Sequence, residues 1–103
     1  MTPVTQEKPL PAWLAVSADG VTVTLKYPAN LGGLLQDRLT MRAPCVRDVR
    51  AAEAVGGGDY EKMEISLFSS LLTATEAELM ALKLVDYKRL QAGYFRLVDE
   101  DDV

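Results

Sequence analysis

The hydropathy period of this chain changes once, at Pro44, and that change limits the architectures open to it. Upstream, Val21, Val23, Leu25 and Tyr27 alternate with Thr22, Thr24 and Lys26, and Leu39 and Met41 alternate with Arg38, Thr40 and Arg42. Period-two alternation describes strands with one buried and one wet face. Downstream, apolar residues recur at helical spacing, and alanines, caps and glycines mark where each helix starts and stops. Strands gathered first and helices gathered after them predict an α+β domain. The expected architecture is a small antiparallel β-meander of about three strands followed by about four α-helices packed on one face.

The strand region opens with a segment from Trp13 to Val16. Asp19-Gly20 then reads as a hairpin turn, because both residues tolerate positive φ. Pro28 to Asp37 reads as a connecting loop, longer than a tight hairpin needs, with Leu31, Leu34 and Leu35 around Gly32-Gly33. Two readings of those leucines stay open. They fold back over an open end of the core, or they form a mobile apolar flap that meets a partner.

Four helices are expected. The first, Val46 to Val55, is alanine-rich, carries Asp48 near its head and is stopped by Gly56-Gly57-Gly58. Asp59 is placed to cap the second, Tyr60 to Leu72. Its apolar residues make two adjacent stripes, Tyr60, Met63, Leu67 and Leu71 beside Ile65, Phe68 and Leu72, as in a central helix touching sheet and helix together. Glu64 falls between the stripes and reads as a paired or rim carboxylate, since no histidine or second acid stands at a matching position. Thr75 and Glu78 fit a capping box for a short helix bearing Leu79 and Leu82. The last helix runs from about Val85 to Val98, with Asp86 complementing its positive end. Leu84, Tyr87, Leu90, Tyr94, Phe95, Leu97 and Val98 sweep an arc of roughly 160° at about 100° per residue, wide for a helix packed on one small layer.

Chemistry-bearing patterns are missing. The chain has no histidine, which removes the usual proton shuttle and most metal sites. Cys45, the single cysteine, has no base beside it and reads as a buried or half-buried structural thiol. The three glycines are not followed by Gly-Lys-Ser/Thr and form no phosphate loop. No enzyme activity and no cofactor are expected. The net charge of −4 lies wholly in Asp99, Glu100, Asp101 and Asp102, and the other 11 acids balance 11 Lys and Arg. A neutral body offers no cation excess for phosphate, so no nucleic-acid partner is expected. Apolar runs are far shorter than a bilayer span, and no leader pattern opens the chain, so no membrane association is expected and a cytosolic setting is. One domain over residues 12–98 is expected, with a loose proline-rich arm at 1–11 and an acidic tail at 99–103.

The segments LTMRAPCVRDVRAAEA and DYEKMEISLFSSLLTATEAELMALKLVDYKRLQAGYFRLV together resemble the tail assembly chaperones of Mu-like and related contractile-tailed bacteriophages. Those proteins share a strand ending in an Arg-Pro-like turn, an Asp-led helix, an acidic break, a further helix, a Thr/Ser-led short helix and a closing Asp-led helix. The resemblance leaves out residues 1–20. It implies an accessory protein of virion morphogenesis, working in the bacterial host cytoplasm and absent from the finished particle. The implied partner is the helix-rich tape-measure protein, with the tail-tube protein a second possibility.

Leu31, Leu34 and Leu35 of the loop and Tyr87, Tyr94, Phe95 and Val98 of the last helix are the candidate partner-binding residues. For each, membership of this domain's own core is the competing reading. Surplus apolar surface also predicts self-association. A structural tail or baseplate accessory, and a small protein-binding regulator, are the alternative functions.

Overall fold

A computed structural model describes residues 10–99. The proline-rich arm, apart from residues 10 and 11, and the acidic tail, apart from Asp99, lie outside the described residues. The chain runs β1 (Leu14–Ser17), β2 (Gly20–Leu31), β3 (Leu34–Arg42), α1 (Val46–Gly56), α2 (Tyr60–Leu72), α3 (Glu76–Met80) and α4 (Leu84–Val98). The three strands form an antiparallel sheet in the order β1-β2-β3. This is the α+β meander-then-helices arrangement that the change of period at Pro44 predicts.

Alternation decides which sheet face is covered. Val21 pairs with Met41 and Val23 with Leu39, and all four are buried. Thr22 and Thr40 stand opposite each other on the other face, their hydroxyls 3.2 Å apart. Gly93 of α4 lies against Val21 and Val23, while α2 packs on β3 and α1 on α2. Leu67, Phe68 and Leu71 of α2 join Leu90 and the strand residues in one core.

Two turn assignments change. The first hairpin turns at Ala18 and Asp19, neither with positive φ, and Gly20 is the first residue of β2. Gly20 is needed there for space, because a Cβ would lie 2.2 Å from the Met41 carbonyl oxygen. The second correction is larger. Pro28 to Asp37 is no loose loop: β2 and β3 run on to a two-residue turn at Gly32-Gly33, with φ of 62° and 83°. Two consecutive left-handed residues match the right-handed twist of a hairpin, which only Gly-Gly-type sequences supply cheaply.

The sequence hid this hairpin because β2 carries a bulge. Thr24 pairs with Arg38 and Ala29 with Gln36, so residues 25–28 face Asp37 alone. The extra residues break the in-out alternation, which is why Tyr27 is exposed although it continues the apolar series. Pro28 sits in the bulge, where a missing N–H costs no ladder bond.

The helix termini match their signals. Asp59 accepts the Glu61 and Lys62 amides, Thr75 and Glu78 cap each other's backbone, and Gly57 ends α1 in the left-handed region. Cys45 differs from the expectation of a buried thiol: it is exposed at the N-cap of α1. The turn there is held by Asp48, which accepts both terminal nitrogens of Arg42 at 2.9 Å and the Cys45 amide at 2.8 Å. These bonds hold the Asp48 carboxyl well below the usual carboxylate range, Arg42 contributing most.

Candidate functional site

The last helix carries more apolar surface than the sheet covers. At about 100° per residue, Asp86, Leu90, Gly93 and Leu97 fall within roughly 60° of one another and make the sheet-facing stripe. The first three are buried and Leu97 is half-buried. Tyr87, Tyr94, Val98, Gln91, Leu84 and Phe95 then follow at roughly 80° to 180° from Asp86. The wide arc read from the sequence is therefore a core stripe plus an adjoining side turned toward α2 and α3.

On that side α2, α3 and α4 enclose a groove of about 900 Å³. Its apolar lining includes Ile65, Leu79, Leu82, Met80 and Leu84, with Tyr60 and Tyr87 adding aromatic surface. Met80 and Leu84 stand at the groove while remaining 72% and 68% exposed, respectively. Large side chains so placed gain hydrophobic free energy only when something covers them.

Glu64 lines the groove and is only 8% exposed. Its Oε1 accepts the Tyr87 hydroxyl at 2.7 Å and the Gln91 amide at 2.9 Å, and Oε2 accepts the Tyr60 hydroxyl at 3.4 Å. The sequence left Glu64 as a paired or rim carboxylate; in the fold it is buried and hydrogen-bonded, with Tyr60 one turn back on α2 and Tyr87 and Gln91 from α4, a helix the sequence could not place beside it. Burial, and then the bond to Glu64, push the Tyr87 phenol far above its ordinary value. Burial and the Glu64 charge raise Tyr60 and Tyr94 as well.

The residues singled out from the sequence divide among several places. Tyr87 lines the groove. Tyr94 is half-buried, its ring 5.4 Å from Phe68 and 5.8 Å from Phe95. Phe95 and Val98 are exposed on α4 beyond the groove. Leu34 and Leu35 are exposed at the hairpin tip, whereas Leu31, 4% exposed, belongs to the core. The tip is tied to α3, because the Gly32 amide donates to Glu78 Oε2 at 2.9 Å, and the hairpin is braced from within by the Gln36 side-chain amide donating to the Leu31 carbonyl.

Sequence reasoning missed Met80, Leu84 and Ile65 as surface-forming residues. Ile65 falls in the second apolar stripe of α2 and Leu84 in the wide arc of α4, whereas Met80 carries no sequence signal. Among the described residues no cluster of His, Cys, Asp and Glu has metal-binding geometry. No helix among them is long and apolar enough to cross a membrane.

A comparison with family models matches residues 22–99 to the family described as "Phage tail assembly chaperone proteins, E, or 41 or 14". Searches of curated proteins and of solved structures each found no match. The match spans most of the chain, β2 through α4. The chain belongs to this phage tail assembly chaperone family.

Proposed function

We propose that this member of the phage tail assembly chaperone family binds apolar helical segments of the tape-measure protein in the groove between α2, α3 and α4. One observation carries the reading: Met80 and Leu84 stand largely uncovered beside a concave surface lined by Ile65, Leu79, Leu82 and Tyr87. An amphipathic helix laid into such a groove buries its apolar face as a fourth wall. Covering large side chains of this kind stabilises the complex by about 25 cal/mol for each Å² removed from water. The protein acts stoichiometrically, without catalysis, in the host cytoplasm. It keeps the tape measure soluble until tail-tube subunits, a second partner, assemble around it. Between partners, a second copy of the chain covers the exposed leucines, so the free chain self-associates.

Co-expression with the tape-measure protein of the same genome, followed by affinity pull-down and size-exclusion chromatography, tests this. The expected result is a soluble complex with the wild-type chain. Leu84→Asp and Met80→Asp are expected to stay folded and lose the complex. A tape measure that stays insoluble and is not retained overturns the reading, and places the chain among virion components if purified particles contain it. Equal retention by both variants moves the binding surface away from the groove.

A further inference from the structure

Resting on the groove reading above, we infer that the helix it accepts carries one Lys or Arg within its apolar stripe, and that this cation is received by Glu64 on the groove wall. A carboxylate buried to this degree is costly unless a cation or several strong donors compensate it. Glu64 has three donors, all neutral: two tyrosine hydroxyls and a glutamine amide. No ion pair to Glu64 forms among the described residues, although Lys62 and Lys88 also line the groove. The compensation is also uneven. Oε1 takes two short bonds, whereas Oε2 takes only the 3.4 Å contact from Tyr60, a residue 58% exposed at the groove rim. A carboxylate oxygen accepts more than one bond, so Oε2 keeps capacity for a charge-assisted donor.

The groove's remaining charges favour the same occupant. Asp59, Glu61 and Glu76 line it together with Glu64, against Lys62 and Lys88. An excess of acids around an apolar floor attracts a basic amphipathic helix and disfavours an acidic one. The bonds to Tyr87 and Gln91 join α2 to α4 through Oε1 alone, and Oε2 is the oxygen left for an occupant of the groove. With Glu64, a helix bearing a correctly spaced cation is selected over one that is merely greasy, as polar groups set register in helical interfaces.

The probes are two labelled amphipathic peptides of about 18 residues, with the same leucine stripe and acid-free polar face. One carries a central lysine within the stripe and the other carries methionine there. Fluorescence anisotropy measures each against the wild-type chain, Glu64→Gln, Tyr87→Phe and Leu84→Asp. The lysine peptide is expected to bind wild type about tenfold tighter than its methionine counterpart. Tyr87→Phe keeps the Glu64 charge and is expected to keep that preference, whereas Glu64→Gln is expected to abolish it. Equal binding of the two peptides to wild type overturns the inference even if Glu64→Gln fails to fold, as does a preference that survives in a folded Glu64→Gln. Leu84→Asp separates the two levels of the argument. If it releases both peptides while no lysine preference exists, the groove stands and the cation is wrong. If neither peptide depends on Leu84, the groove itself is wrong.

Discussion

Asp86 of α4 and Lys26 of β2, sixty residues apart in sequence, are joined by a 2.6 Å bond from the Lys26 amide to the Asp86 carboxylate. The other carboxylate oxygen accepts the Tyr27 amide at 3.0 Å. These are the backbone groups that the β2 bulge leaves without partners on β3. Arg89, one turn along the helix, donates to the Thr24 carbonyl at 2.7 Å and lies over the Trp13 ring. The helix thus satisfies the interrupted strand. Asp86 is 0% exposed, so its place near the helix start, which suggested a dipole role, is secondary to its contact with the sheet.

Asp86→Ala is expected to destabilise the fold by about 2–4 kcal/mol, since it removes the acceptor for two amides at once. Urea unfolding checks this through a lower midpoint at unchanged slope. Hydrogen exchange should quicken first at Lys26 and Tyr27. A loss below about 0.5 kcal/mol would mean that solvent replaces the carboxylate without cost.

Two glycine substitutions should fail for different reasons. Gly20→Ala drives a methyl into the β3 backbone, which cannot rotate away, and is expected to cost about 3 kcal/mol or more. Gly32→Ala meets no atom within 4 Å but keeps a φ of 62°, so the expected cost is about 1–2 kcal/mol. Asparagine at position 32 should recover much of that loss, whereas no residue larger than glycine should recover position 20. Thermal or chemical denaturation of the set decides the order.

Cys45→Ser is expected to stabilise α1 by about 0.5–1 kcal/mol, because serine is among the preferred N-caps and the thiol is a weak acceptor. The wild-type thiol should react with a disulfide reagent in the native state, without prior unfolding. A protected thiol would contradict its exposure.

Acid should loosen two joints of the fold. Glu78 accepts the Thr75 and Gly32 amides, which lower its pKa from the ordinary 4.5, and Asp48 is lowered from 3.8 by Arg42 and the Cys45 amide. Both folded values lie below the unfolded ones. The stabilisation is therefore fully present above about pH 5 and is lost as the pH falls through the folded values. Unfolding followed between pH 6 and pH 2, roughly, should show Glu78→Gln with a shallower acid slope than wild type. An identical slope would exclude Glu78 as a contributor.

Replacing both Leu34 and Leu35 by serine should leave stability within about 0.5 kcal/mol, since neither is part of the core. If the tip contributes to self-association, sedimentation will show a smaller species. If the groove alone receives the tape measure, pull-down will be unchanged.

Much of the fold is local and was therefore legible. Alternation at Val21–Leu25 and Leu39–Met41, the Asp59 cap, the Thr75–Glu78 box and the Gly57 stop each act within a few residues. Their physics needs no partner from elsewhere in the chain, and the helix bounds from them agree closely with the structure. Where the local signal was right in kind but ambiguous in position, as at Asp19-Gly20, the turn moved by one residue. The β2 bulge had no local signature that distinguishes it from a loop. Its unpaired amides are affordable only because Asp86 meets them, and that meeting depends on how α4 lies across the sheet.

The candidate site divides in the same way. The sequence by itself determined that the second helix is apolar on two adjacent faces and that the last helix carries an apolar arc wider than one small layer covers, and it left Glu64 as a paired or rim carboxylate. Only the tertiary structure decided which residues are spent in the core, Leu31 and Leu90 among them, and which are left at a surface, as Met80, Leu84 and Phe95 are. Periodicity fixes angles around one helix axis, but not the rotation of that axis against its neighbours. That rotation follows from summed packing across the whole core, and it turns one side of α4 onto the sheet and leaves the next facing a groove.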